Sequence, residues 1–178
     1  MSNILILQGS VRKDGNTAML ANAFADGARE HNNVEIISVG EMNIHPCVGC
    51  NSCFGRDDHS CCQNDDMKLV YQKMQTADVL VLASPVYFYG ISAQLKAVID
   101  RFHTPMRDSF PVKKLGLILV GAASLPQLFD AIKMQYQLVL NYFHLEDVGM
   151  VLARGCKDKG DVRNTGFLEE ARKLGLSV

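Results

Sequence analysis

The alternation of strand-like and helix-like segments constrains the fold of this 178-residue chain more than any other feature. Five short apolar runs suit buried strands, at residues 3–8, 34–39, 78–83, 115–121 and 146–153. Five segments between and after them have helical character, at residues 16–31, 65–76, 91–102, 126–144 and 165–174. Such alternation gives a parallel sheet covered by helices on both faces. We therefore predict a three-layer α/β fold, with one domain spanning residues 1–178.

The number of strands also predicts where a ligand binds. Five parallel strands joined by helices suit the doubly wound sheet of order 2-1-3-4-5, in which the winding reverses between strands 1 and 3. Ligands of such sheets bind outside the carboxyl ends of the strands at this reversal. The predicted site lies where the loop that opens at Ser10 meets the loop that opens at Pro85.

Composition and charge exclude several partners. The formal net charge is −1 and the basic residues are scattered, which predicts no nucleic-acid partner. The longest apolar stretch, residues 115–125, is too short to span a bilayer. No basic leader precedes the first apolar run, so we expect no signal peptide, no membrane association and a cytoplasmic protein.

The loop after the first strand has features of a phosphate site. It reads GSVRKDGNT and runs directly into a helix, whose N-terminus favours anions. Ser10 and Thr17 offer hydroxyl groups, Arg12 offers a fixed charge, and Asn16 lies at the helix start. The alternative is a plain helix start, capped by Asn16 or Thr17, with Arg12 as a solvated charge.

The loop after the third strand contains three consecutive aromatic residues. Pro85, Val86, Tyr87, Phe88 and Gly90 could together flank a flat ring system, because Gly90 permits close approach. We also expect Tyr87 or Phe88 to pack beneath the following helix. Gly121 and Ala122, which follow the fourth strand, are candidates for a third wall. A phosphate cradle beside an aromatic slot matches the two parts of FMN.

These motifs carry a family resemblance. GSVRKDGNT, SPVYFYGISAQLKAVIDR and the DDM at residues 65–67 resemble the NADPH-dependent FMN reductases of the flavodoxin superfamily. The resemblance implies a flavodoxin-like fold with a five-stranded parallel sheet. It implies that the FMN phosphate is held by Ser10, Arg12, Asn16 and Thr17. It implies that the isoalloxazine is lined by Pro85, Val86, Tyr87, Phe88, Gly90, Gly121 and Ala122.

The same resemblance implies an activity and an assembly. NAD(P)H would donate hydride to the flavin, which passes electrons to a small acceptor such as a quinone, a free flavin or a nitro compound. No protein acid or base is obligatory, so we name no catalytic residue. Family members form homodimers or homotetramers. Asp100 and Arg101 are therefore expected either to face solvent at a helix end or to pair across a subunit interface.

Five of the six cysteines lie in one aperiodic loop at residues 45–64. In a reducing compartment such a cluster indicates metal or redox chemistry before disulfides. The spacing C-x2-C-x2-C resembles part of a ferredoxin motif, and the loop is similar to that of the iron–sulfur flavoproteins. That similarity implies a 4Fe-4S cluster on Cys47, Cys50, Cys53 and Cys61. Bare thiols and a disulfide remain alternatives.

Three functions therefore stay open. The first is an FMN-dependent NAD(P)H oxidoreductase. The second is an iron–sulfur electron carrier that takes electrons from ferredoxin. The third is a flavin and thiol redox sensor without turnover. Bound iron would distinguish the electron carrier from the oxidoreductase. Negligible NAD(P)H oxidation would distinguish the redox sensor from the oxidoreductase.

Overall fold

Strands and helices alternate along the chain in the computed structural model, which describes residues 1–178. The strands are β1 (Asn3–Gln8), β2 (Asn33–Ser38), β3 (Val79–Tyr87), β4 (Gly90–Ile91), β5 (Lys114–Val120) and β6 (Glu146–Ala153). The helices are α1 (Asn16–Ala28), α2 (Met67–Met74), α3 (Ala93–Asp100), α4 (Asp130–Phe143) and α5 (Phe167–Leu176). No helix has the length and apolar character needed to cross a bilayer.

The long strands form one parallel sheet in the order β2-β1-β3-β5-β6. This confirms the predicted doubly wound order, since β5 and β6 are the fourth and fifth strands of the prediction. The two-residue strand β4 was not predicted, and it pairs antiparallel with the end of β3. The winding reverses between β1 and β3, so the carboxyl ends of these two strands form the predicted ligand edge.

The sheet is buried on both faces, which explains its continuous apolar strands. In β1, Leu5 and Leu7 pack into a cluster with α2, α3 and α4 on one face. Ile4 and Ile6 point the other way and pack with α1 and α5. The rigid three-layer core therefore carries the loops that leave its carboxyl edge.

Two predicted boundaries differ from the structure for identifiable reasons. Helix α4 begins at Asp130 and not at residue 126, because the carbonyls of Leu125 and Pro126 accept hydrogen bonds from Arg154 at 3.2 and 3.0 Å. Strand β3 continues past Ala83 to Tyr87, because its end pairs with both β5 and β4. The predicted aromatic loop is therefore a β-hairpin.

Candidate functional site

No side chain caps the start of α1. Gly15 occupies the N-cap position. The alternative of a helix start capped by Asn16 or Thr17 is therefore excluded. The first-turn N–H groups lack intrahelical partners, as in any helix. Thr17 and Ser10 are both buried at this end, whereas Arg12 is exposed.

The side chain of Asn16 binds the loop after β6. Its side-chain amide donates to the carbonyl of Asp158 at 2.8 Å, and its oxygen accepts from the N–H of Gly160 at 2.9 Å. Arg12 likewise donates from Nη1 to the carbonyl of Lys157 at 3.0 Å. Asn16 thus fastens the loop after β6 against the start of α1, and its amide group is fully engaged there.

The aromatic hairpin projects from the sheet edge. Phe88 and Tyr89 occupy the two turn positions between β3 and β4, with φ angles of 52° and 64°. Positive φ at both central positions is what a type I′ turn requires, and it is unfavourable for aromatic residues. Phe88 is fully exposed, and Tyr87 and Tyr89 are half-exposed. Phe88 therefore does not pack beneath the next helix, and half of the Tyr87 surface is also exposed.

Two buried serines join the hairpin to the β1 loop. Ser92 donates from Oγ to the carbonyl of Gly9 at 2.7 Å, and its N–H donates to Oγ of Ser84 at 2.9 Å. The N–H of Gly9 donates to the carbonyl of Ala83 at 2.9 Å. A Cβ on Gly9 would lie 2.6 Å from Oγ of Ser92, so only glycine allows this approach. The two predicted FMN loops are therefore locked side by side.

Sequence reasoning missed both serines as site-forming residues. Ser92 caps α3 by accepting from the N–H of Leu95, which is an ordinary sequence signal for a helix start. The contact of Ser92 with Gly9 spans 83 residues, so no local pattern could indicate it.

The third predicted wall lies beside the hairpin. Pro85 is in register with Val120 at the end of β5, so Gly121 and Ala122 follow directly next to it. Gly121 is buried, whereas Ala122 is exposed. A Cβ on Gly121 would lie 2.3 Å from the Leu128 side chain, so the small residue is needed for packing. The structure thus brings all three predicted loops to one edge.

The five loop cysteines surround one small cavity. Cys47, Cys50, Cys53, Cys61 and Cys62 line it. No three cysteine, histidine or acidic side chains converge closely enough to hold a metal ion. The nearest pair is Cys50 and Cys62, whose sulfur atoms are 3.5 Å apart. The loop leaves the sheet after β2, at the same edge as the other loops.

Hydrogen bonding distinguishes the thiols of this pair. The Ser52 hydroxyl donates to Sγ of Cys50 at 3.2 Å. This hydrogen bond, with a weaker one from Cys62, lowers the pKa of Cys50 to about 7. The pKa of Cys62 is raised, chiefly by its contact with Cys50. Cys50 is therefore the more nucleophilic thiol of the two near neutral pH.

A buried ion pair lies beneath the cysteine cavity. The Nη1 atom of Arg101 contacts Oδ2 of Asp65, and both side chains are almost fully buried. The expectation that Arg101 faces solvent or pairs across a subunit interface is therefore wrong. Only Asp100, which pairs with Lys96, lies on the surface as expected. Asp65 also accepts from the N–H groups of His45 and Met67, at 3.0 and 3.2 Å.

The chain is similar to known proteins of one family. Residues 2–155 match the family described as "NADPH-dependent FMN reductase". The chain is 33% identical to an iron–sulfur flavoprotein of Methanocaldococcus jannaschii, over 98% of this chain and 94% of that protein. It is 25% identical to a putative NAD(P)H-dependent FMN-containing oxidoreductase of Bacillus subtilis, over 96% and 95% of the two chains.

A solved structure supports the fold. The NAD(P)H:quinone oxidoreductase of Methanothermobacter marburgensis superimposes with a TM-score of 0.73 at 16% identity, covering 98% of both chains. At that identity the likeness establishes the flavodoxin-like architecture alone.

Proposed function

Because this chain belongs to the NADPH-dependent FMN reductase family, we propose that it holds FMN between the β1–α1 loop and the β3–β4 hairpin and reduces a small acceptor with electrons from NAD(P)H. Membership of this family makes the protein an oxidoreductase that uses FMN and NAD(P)H. The position of the FMN site and the class of acceptor are what we propose. The observation that carries the proposed site is the serine-locked junction of the two loops at the topological switch point.

The phosphate end is assigned to the start of α1. The uncapped N–H groups of the first turn and the hydroxyls of Ser10 and Thr17 would donate to the phosphate oxygens. Arg12 is exposed and would add a charge-assisted contact by turning from the carbonyl of Lys157. Asn16 would contribute through its backbone N–H, while its side chain keeps the loop after β6 in place.

The ring end is assigned to the hairpin. Bound FMN supplies the capacity to accept hydride from NAD(P)H and to release electrons to an acceptor. Pro85, Val86 and Gly90 would form the floor under the ring, with Gly121 and Ala122 as a side wall. The exposed rings of Tyr87 and Phe88 would stack against flat molecules. This favours a planar acceptor such as a quinone, a free flavin or a nitroaromatic compound.

A second candidate function is that of an iron–sulfur electron carrier supplied by ferredoxin. It is favoured by the five thiols that line one cavity and by the 33% identity to an iron–sulfur flavoprotein along nearly the whole chain. The donor set suits a 4Fe-4S cluster, because thiolates are its usual ligands. Cys47, Cys50, Cys53 and Cys61 would hold it, after the loop draws its thiols together.

Anaerobic purification, followed by an absorbance spectrum and assays for iron and acid-labile sulfide, tests both candidates. Flavin bands without iron, with NAD(P)H oxidation in the presence of a quinone, would support the reductase. Flavin together with about four irons per chain would support the electron carrier. A protein that is colourless and does not take up added FMN would overturn the proposal.

A further inference from the structure

The Arg101 side chain is buried to an unusual degree for arginine. It is 2% exposed, and it lies at the end of α3 beneath the cysteine loop. A charged group removed from water is costly unless it is paired and its hydrogen-bonding capacity is filled. The partners of its five N–H donors therefore indicate what the residue does.

Only one of its three nitrogen atoms has partners. Nη1 donates to the carboxylate of Asp65 and, at 3.3 Å, to the carbonyl of His45. Nε and Nη2 are buried and have no partner. The Asp65 ion pair could have been bidentate, which would have engaged a second nitrogen atom. A purely structural ion pair leaves these donors unexplained.

Arg101 lines the same cavity as the five cysteines. Two other polar side chains of the lining are engaged: the Tyr71 hydroxyl donates to the carbonyl of Arg101 at 2.7 Å, and the Thr104 hydroxyl donates to the carbonyl of His59 at 3.5 Å. Burial alone would lower the pKa of Arg101, but Asp65 and an ionised Cys61 raise it. Cys61 is half-buried against the adjoining core and lines the same cavity as this guanidinium.

We propose that Arg101 is the fixed counter-charge of the cysteine cavity, and that Nε and Nη2 donate hydrogen bonds to the sulfur of a cluster bound by the loop. The inference therefore rests on the electron-carrier candidate. Arg101 is a positioning residue, since it acts through the sulfur.

The inference has a redox consequence. Reduction of a bound cluster adds one electron and no proton, so the cluster becomes more negative by one charge. Hydrogen bonds from Nε and Nη2 would stabilise the reduced form more than the oxidised form, because their sulfur acceptors carry more negative charge after reduction. Arg101 therefore raises the midpoint potential of the cluster, and removing its free donors lowers that potential.

Two variants test this without leaving an unpaired buried charge. Arg101→Lys keeps a cation to pair with Asp65, but lysine lacks the N–H donors that Nε and Nη2 of Arg101 provide. The double variant Asp65→Asn with Arg101→Gln removes both charges of the pair. Lys96→Gln, which removes an exposed cation from the same helix, is the matched control. FMN content and the thermal unfolding midpoint establish that each variant is folded.

The first readout is the midpoint potential of the reconstituted cluster, titrated with dithionite and followed by electron paramagnetic resonance. We expect the equilibrium constant for reduction to fall at least tenfold in both variants. For one electron this lowers the midpoint potential by about 59 mV. Lys96→Gln should match the wild type. Folded variants whose potential matches the wild type would overturn the inference.

The second readout, the iron content, separates this inference from the cluster proposal. If the wild type takes up no iron, the electron-carrier candidate fails and the inference fails with it. If the wild type holds iron but the folded variants keep its potential, the inference alone fails.

Discussion

At the scale of single residues, the buried pair of Arg101 and Asp65 shows where local sequence fails as a guide. A charged residue at a helix end normally lies in solvent, and the sequence around Arg101 contains nothing to the contrary. Its burial depends on Asp65, which lies 36 residues earlier in the chain and faces it only after the cysteine loop folds back. Tertiary contact, which no local pattern encodes, decides the environment of this charge.

Substitution of Asp65 should produce a pH-dependent loss of stability. Burial alone would raise the pKa of Asp65, but the N–H of His45 and the Arg101 guanidinium hold it below the ordinary value of 3.8. The ionised carboxylate therefore stabilises the fold fully above about pH 4, and this contribution is lost as the pH falls through the lower folded pKa. We expect Asp65→Asn to cost about 3–5 kcal/mol at pH 7, because it leaves Arg101 unpaired.

Urea unfolding between pH 7 and pH 2.5 checks this. The difference in unfolding free energy between wild type and Asp65→Asn should be constant near neutrality and should narrow below pH 4. Asp66→Asn is the control: its carboxylate is exposed and accepts one hydrogen bond from the Asn43 N–H. A difference that does not depend on pH would contradict the assigned role of Asp65.

The adjacent cysteines 61 and 62 allow a matched test of the ligand assignment. The resemblance selects Cys61, which is half-buried beside Arg101, whereas the structure has Cys62 next to Cys50 on the surface. We expect Cys61→Ser to lose most of the reconstituted iron and Cys62→Ser to retain it. Iron and sulfide assays on the two variants provide the measurement. The reverse pattern would assign Cys62 as the fourth ligand.

At the scale of elements, the end of β3 could be predicted only in part. The apolar run and the three aromatic residues indicated a strand followed by a binding loop, and both lie at the predicted edge. The hairpin was missed because its turn residues, Phe88 and Tyr89, are not those that favour type I′ turns. A strained conformation of large exposed rings is typical of a functional site, where local propensity is overridden.

Replacing the hairpin turn should separate stability from binding. The double variant Phe88→Asn with Tyr89→Gly provides the residues that a type I′ turn favours. We expect it to stabilise the flavin-free protein by about 1–2 kcal/mol, since it relieves two unfavourable φ angles. It should also weaken the binding of FMN or of a planar acceptor, since a stacking ring is lost.

Thermal unfolding of the flavin-free protein and FMN fluorescence titration provide the two measurements. Tyr142→Asn is the control, because it removes an exposed aromatic ring from α4, outside the hairpin. It shows what the loss of aromatic surface alone does. A destabilised hairpin variant, or one with unchanged affinities for FMN and a quinone, would contradict the proposed role of the turn.

The serine lock should be equally sensitive to substitution. Ser92→Ala leaves the buried carbonyl of Gly9 without its partner and removes the cap of α3, so we expect a loss of about 1–3 kcal/mol. FMN affinity should fall as well, because the two loops are no longer fixed together. Ser109→Ala, which removes an exposed hydroxyl from a surface turn, should change stability by less than about 0.5 kcal/mol. If Ser92→Ala binds FMN as the wild type does, the junction does not organise the site.

At the scale of the whole molecule, the sheet order could be predicted because it follows from general rules. Five buried strands alternating with helices leave few right-handed arrangements, and the doubly wound order places the ligand edge by topology alone. Side-chain roles within that edge could not be predicted in the same way. Asn16 illustrates this, since its partners lie more than 140 residues away in the loop after β6.

The most direct test of the central claim is a titration of the flavin-free protein with FMN and, separately, with riboflavin, which has the same ring system but no phosphate. The two-loop site predicts one FMN per chain and much weaker binding of riboflavin. Riboflavin has no phosphate, so the uncapped start of α1 and Arg12 would have no anion to contact. Arg12→Ala should reduce the difference between the two ligands. Equal affinity for FMN and riboflavin, or binding of neither, would contradict the account.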